Sequence, residues 1–158
     1  MFKSKTILVV CTGNSCRSVM AGSLLQEVLK DKGEYYVLTA GTAAIEGLPA
    51  TPEAVEVMAE ENIDISSHRS RTLTESLVRQ ADIILVMENK HKDYILAHYP
   101  QASGKVYLLS EFGRIESEDK LVDPNIPDPI GKSADFYRYV FDIIKESIAR
   151  TVQQLEGK

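Results

Sequence analysis

Residues 7–18 read ILVVCTGNSCRS, and no other stretch constrains the fold as tightly. Ile7, Leu8, Val9 and Val10 form a short apolar block rich in β-branched residues, which suits a strand buried on both faces of a parallel sheet. The block stops at Cys11. Thr12, Gly13, Asn14, Ser15 and Cys16 follow, mostly residues that tolerate unusual backbone angles or bond their own main chain, so the segment can curl. A curled loop that runs into a helix points successive N–H groups at one spot, and the helix N-terminus adds partial positive charge there. Such a spot seats a phosphate-like oxyanion.

The residues that close this seat carry chemistry. Arg17 offers a planar fork of donors for phosphate oxygens, and Cys11 offers a nucleophile. Thiols at helix N-termini beside an arginine favour the reactive thiolate form, and Ser18 is placed to hydrogen-bond such a thiolate. A cysteine, five intervening residues, an arginine and a serine are together a complete set of parts for covalent phosphoryl transfer. A buried cysteine at a strand end, followed by an ordinary turn, is the competing interpretation. The agreement of strand, loop, arginine and serine weighs against it.

At 158 residues the chain fits one domain, 1–158, with enough length for a proper core. Its 44% hydrophobic and 26% charged residues argue against disorder. The apolar runs are too short to span a bilayer, and MFKSKTILVV leads straight into a strand without a cleavage site, so a cytoplasmic protein without membrane association is expected. Both cysteines of the chain lie in the loop, which excludes a disulfide framework and fits a reducing compartment. They are not spaced as CxxC, and with three scattered histidines they make no zinc site, so neither metal nor cofactor is expected. A net charge of -5 disfavours nucleic acid as a partner.

Along the chain, Met20, Leu24, Leu25 and Val28 recur at helical spacing up to about Lys32, and Tyr35 to Ala40 reads as a second strand. Thr51 and Pro52 mark the N-cap and first turn of a helix carrying Val55 and Met58. Thr74 begins a short helix, Asp82 to Met87 is a third buried strand, Asn89 to His98 a helix, and Val106 to Leu109 a fourth strand. Glu111 to Lys132 is a long loop containing Pro124, Pro127 and Pro129, and long loops in compact domains are often functional. A last helix from about Ser133 places Phe136, Val140, Ile143, Ile144, Ile148, Val152 and Leu155 on one face, with Tyr137 and Tyr139 expected to serve its packing. Strands alternating with helices imply an α/β fold, a doubly wound parallel sheet with helices on both faces and its ligand site at the carboxyl ends of the strands. Alternation does not fix the strand order.

Displacing a phosphoryl group from its leaving atom is easier when an acid protonates that atom, and Asp123 and Asp128, each preceding a proline in the long loop, are the candidates. Once deprotonated, the same carboxylate can act as base for the hydrolytic water. Cys16 can form a disulfide with an oxidised Cys11 and so block further oxidation; a small packed side chain in the first helical turn is the alternative. Arg69 and Arg71 are expected to be a solvated face.

VCTGNSCRS resembles the signature of the low-molecular-weight protein tyrosine phosphatases, and the similarity extends over nearly the whole chain. It includes AGT at Ala40 to Thr42, SHRSR at Ser67 to Arg71, DIILVM at Asp82 to Met87 and PDP at Pro127 to Pro129. Val19 and Gly22 depart from the proline and glutamate usual in that family. The resemblance implies a four-stranded sheet in flavodoxin-like order 2-1-3-4. It implies a cysteine-dependent phosphatase acting through a phosphocysteine on phosphorylated protein, with a monomer as the expected state. Phosphate would be held by Thr12, Gly13, Asn14, Ser15, Cys16, Arg17 and Ser18. Asn14 would keep the loop in shape, supported from behind by His68 and Thr39. The family acid sits in a DP pair closely followed by glycine, which selects Asp128 over Asp123. Tyrosine-directed members line their rim with aromatics, where this chain has Ala43, Ala44, Ile45 and Ile130. They also carry a bulky apolar residue where Ser15 stands; a branch acting on phosphoarginine carries threonine. The family resemblance makes phosphotyrosine the expected substrate; the missing aromatic clamp and Ser15, a closer match to threonine than to a bulky apolar residue, make phosphoarginine the alternative. An arsenate reductase, which needs further cysteines, and a phosphate-binding module without turnover are less favoured.

Overall fold

The computed structural model describes residues 4–114 and 123–157; residues 115–122 of the long loop lie outside the described residues. Strands β1 (Lys5–Cys11), β2 (Tyr35–Gly41), β3 (Ile83–Val86) and β4 (Val106–Leu108) form one parallel sheet in the order β2-β1-β3-β4. Helices α1 (Arg17–Leu29), α2 (Pro52–Glu60), α3 (Glu75–Gln80), α4 (Asn89–His98) and α5 (Ala134–Leu155) connect and cover it.

Because side chains alternate along a strand, β1 feeds two cores at once. Ile7, Val9 and Cys11 face a cluster built with α1, α2 and α5, whereas Leu8 and Val10 face one built with α3 and α4. Ile7 to Val10 have no exposed surface, as expected of a central strand covered on both sides. β1 pairs with β2 on one edge, Ile7 opposite Val37, and with β3 on the other, Ile7 opposite Ile83. The chain thus winds outward to β2 and then crosses to β3, so the carboxyl ends of β1 and β3 flank the point where the winding reverses. Ligand crevices of open α/β sheets form there. Among the described residues no helix is long and apolar enough to cross a membrane.

Several local expectations change. The first helix stops at Leu29, before Lys32, and Val28 is exposed. Thr51 does not cap α2 with its side chain; its amide instead donates to the Ser15 carbonyl at 2.9 Å, so the helix entry is used to dock the loop. On α5, Tyr137 is buried but Tyr139 is 55% exposed, since residues two apart on a helix cannot both face the core. Gly22 has a steric reason: a Cβ there would lie 2.5 Å from the Thr39 methyl group, so glycine lets α1 lie close against β2.

Candidate active site

The loop between β1 and α1 is wrapped so that its carbonyls point outward. Those of Cys11 and Thr12 accept from Thr42 and Ala43, that of Ser15 from Thr51 and that of Cys16 from Met20, all between 2.8 and 3.0 Å. The Asn14 carbonyl accepts from His68 Nε2 at 2.8 Å. No hydrogen bond among the described residues takes up the amides of Gly13, Asn14, Ser15, Cys16 or Ser18. Carbonyls taken up by the surrounding chain and a run of unbonded amides are what an anion nest requires. Gly41, at the end of β2, makes the wrap possible: a Cβ there would sit 2.4 Å from the Thr12 carbonyl oxygen.

Asn14 is the keystone of this loop. Its φ of 54° lies in the left-handed region that asparagine tolerates better than other side chains, and it is fully buried. Its Nδ2 donates to Ser18 Oγ at 2.8 Å and its Oδ1 accepts from the Arg71 amide at 2.9 Å. Arg71 therefore holds the loop through its backbone, and among the described residues the Arg69 guanidinium bonds only the neighbouring His68 carbonyl. Since a carbonyl only accepts, His68 carries its proton on Nε2. Burial, followed by the charges of Arg71 and Arg69, holds the His68 pKa below its ordinary value, against the bond to Asn14. Thr39 packs its methyl group beside Gly22 of α1, and no hydrogen bond joins its hydroxyl to the loop among the described residues.

Cys11 is 1% exposed at the foot of the nest, with Sγ 3.0 Å from Ser18 Oγ. Because Asn14 Nδ2 already donates to that oxygen, the serine proton is free to turn to the sulfur when the thiol ionises. Arg17, also 1% exposed, donates from Nη1 to Glu88 Oε2 at 2.5 Å and to the Ile126 carbonyl at 2.8 Å. Its Nη2 lies 3.6 Å from Asp128 Oδ2, and its Nε is buried with no partner among the described residues. A buried donor without an acceptor is costly, which fits a position completed by an anion.

Asp128 reaches the loop and Asp123 does not. The Asp128 carboxylate approaches Arg17 and stands 4.0 Å from Cys16 Sγ. Asp123 Oδ1 accepts the Asn125 amide in a local turn. Burial, reinforced by Cys11 and Asp128, pushes the Cys16 thiol up to about 12.

Two participants were not evident from the sequence. Glu88 and His91 form a capping box at the start of α4: the Glu88 side chain accepts the His91 amide, while His91 Nδ1 accepts the Glu88 amide at 3.1 Å. Both also reach the loop, Glu88 through Arg17 and His91 through Thr12, with Nε2 2.8 Å from Thr12 Oγ1. A carboxylate directly following a buried strand, at the same sheet edge as Cys11, was the signal available. Burial and then the Arg17 charge lower the His91 pKa from 6.5 to about 4; Lys90 adds to this, and Glu88 and Asp128 oppose it.

This shift makes stability depend on pH. In the unfolded chain His91 takes up a proton near 6.5 and in the folded chain only near 4, so the unfolded state binds more protons between these values. The His91 contribution is complete above about 6.5 and declines as the pH falls toward 4, by at most about 3 kcal/mol. Urea unfolding of the wild type and His91→Gln checks this. The two stabilities should converge between pH 7 and pH 4.5; curves that stay parallel would contradict it.

Comparison with known proteins gives the geometry a context. The model of the low molecular weight phosphotyrosine protein phosphatases matches residues 6–158. The chain belongs to this family. It is 40% identical over 153 residues, 97% of each sequence, to a probable low molecular weight protein-tyrosine-phosphatase, EpsP, of Ralstonia nicotianae. It is 36% identical over 151 residues, 95% of this chain and 96% of the other, to the protein-arginine-phosphatase of Bacillus subtilis. Among solved structures, the YwlE arginine phosphatase from Geobacillus stearothermophilus superposes with a TM-score of 0.86 at 34% identity, over 97% of this chain and 94% of that one. This phosphatase thus has both tyrosine- and arginine-phosphatase relatives.

Proposed function

We propose that this phosphatase hydrolyses phosphotyrosine in proteins at the Cys11 loop. The observation that carries the proposal is the meeting of three elements: the unbonded loop amides, the Arg17 guanidinium with an Nε that has no partner among the described residues, and the Asp128 carboxylate beside it. In the first step the Cys11 thiolate attacks phosphorus, the bond to the phenolic oxygen breaks, and the protonated Asp128 gives its proton to that oxygen. The loop amides and Arg17 bind the three non-bridging oxygens, and Ser18 steadies the sulfur. In the second step the Asp128 carboxylate takes a proton from water, the water oxygen bonds to phosphorus, and the P–S bond breaks. Inorganic phosphate leaves and Cys11 returns as thiolate. No metal or cofactor enters either step.

Residues 1–158 act as a single phosphatase domain, taken to be cytoplasmic and monomeric, with no nucleic-acid or membrane partner. Cys16 is assigned to redox protection: if Cys11 is oxidised to a sulfenic acid, the Cys16 sulfur bonds to it and water departs. Oxidation also removes the negative charge of Cys11, one of the causes that hold Cys16 protonated.

Phosphoarginine is a second reading, and one specific observation favours it. In the segments after β2 and after Asp128 the exposed large side chains are aliphatic, Ile45, Leu48 and Ile130 at 69%, 45% and 51%, and residues 42–51 and 129–133 contain no aromatic to form a clamp. The small Ser15 hydroxyl makes no hydrogen bond among the described residues and is open to a guanidinium donor. Measuring kcat/KM on matched phosphotyrosine and phosphoarginine peptides, with Cys11→Ser as the blank, separates the two. A phosphotyrosine preference supports the main proposal, a large phosphoarginine preference transfers it to the arginine branch, and no activity above the blank contradicts both.

A further inference from the structure

The bonding around His91 determines where two protons lie. Its ring is 1% exposed, and Nδ1 accepts the Glu88 amide, so a neutral ring carries its hydrogen on Nε2. That hydrogen points to Thr12 Oγ1 at 2.8 Å, which makes the threonine oxygen the acceptor. The Thr12 hydroxyl proton is then turned away from His91, and it has no other acceptor among the described residues. Thr12 directly follows Cys11 and is only half-buried. The ring that holds it belongs to the same capping box whose Glu88 side chain accepts from the Arg17 guanidinium.

We propose that the Thr12 hydroxyl is an oriented hydrogen-bond donor to the phosphoryl group being transferred, and that His91 is the positioning residue that orients it. The α4 capping box then has a second role. Glu88 fixes the guanidinium of the loop and His91 fixes its hydroxyl, so one helix start presets two donors contributed by the loop. A threonine without this partner would spend its proton on whichever acceptor lay nearest, and would have to reorganise before contacting a phosphoryl oxygen.

This inference rests on the phosphatase reading of the Cys11 loop, and the experiment separates the two. Steady-state kinetics on p-nitrophenyl phosphate and inhibition by orthovanadate are measured for the wild type, Thr12→Val, Thr12→Ser, His91→Ala and the Thr12→Val/His91→Ala double variant, with thermal unfolding alongside. Loss of one donor to a charged oxygen should lower kcat/KM by about 10- to 100-fold in Thr12→Val and weaken vanadate inhibition to a similar degree. Thr12→Ser should bring kcat/KM back to within about threefold of the wild type, which a purely structural loss of volume would not explain. His91→Ala should lose part of the same factor, and the double variant should be no worse than Thr12→Val. A folded Thr12→Val of wild-type activity, or losses that multiply in the double variant, would overturn the inference while leaving the phosphatase reading intact. A wild type that does not turn over the substrate overturns both. If His91→Ala does not fold, the contrast between Thr12→Val and Thr12→Ser decides.

Discussion

Cys11→Ser lowers turnover of an aryl phosphate by roughly four orders of magnitude or more. The substitution changes one atom in a site that otherwise stays assembled: Ser18, Asn14 and Arg17 keep their partners, and the amides of the nest keep their direction. A serine hydroxyl is a far weaker nucleophile than a thiolate, and no imidazole is bonded to Cys11 to activate it, because His68 is spent on the Asn14 carbonyl, His91 on Thr12 and His98 on the Tyr94 carbonyl. Phosphate and vanadate should still bind. The expected pattern is therefore a collapse of kcat with competitive binding retained, measured by steady-state kinetics and by titration with the inhibitor. Turnover within tenfold of the wild type would show that Cys11 is not the nucleophile.

Asp128→Asn is the second large effect, roughly 10²- to 10³-fold on kcat for phosphoenzyme formation from an aryl phosphate. An amide keeps the size of the side chain and can still accept the Ile130 amide that now shapes the turn at 3.1 Å, so the loop stays in place. It cannot supply a proton to the leaving oxygen. The deficit should grow with the basicity of the leaving phenol and shrink for phenols acidic enough to depart unaided. A series of aryl phosphates followed by burst kinetics measures this dependence. Unchanged turnover, or a deficit indifferent to the leaving group, removes the acid role from Asp128. Asp123→Asn provides the contrast: its carboxylate closes a local turn and does not touch the loop, so its activity should match the wild type.

The parts of the site that were legible in the sequence are those that depend on local chain geometry. An apolar β-branched block ending at a cysteine, followed by glycine, asparagine and serine, specifies a strand end and a curled turn without reference to the rest of the protein. The left-handed backbone of Asn14 and the dual burial of Ile7 to Val10 are local consequences of the same residues. Glu88 and His91 were not legible, because their partners Arg17 and Thr12 lie 71 and 79 residues away in sequence and meet them only once β1 and β3 pair. Locally, Glu88 and His91 look like any helix start. Thr51 illustrates the opposite case, a residue whose local signal is sound but whose amide is recruited by a distant carbonyl, that of Ser15. Asp123 and Asp128 are locally alike, since both make the same Asx-type turn; the resemblance, through the DP pair followed by glycine, singles out Asp128, and Asp128 is the one that lies 3.6 Å from Arg17.

The central claim, phosphoryl transfer to the Cys11 sulfur, is tested most directly by rapid acid quenching during turnover of a phosphotyrosine peptide, followed by mass spectrometry of the intact chain and its peptides. The account predicts a transient species heavier by one phosphoryl group, with the group on Cys11, longer-lived in Asp128→Asn once formed and absent from Cys11→Ala. Turnover without any phosphorylated chain, or with the group on another residue, would contradict it.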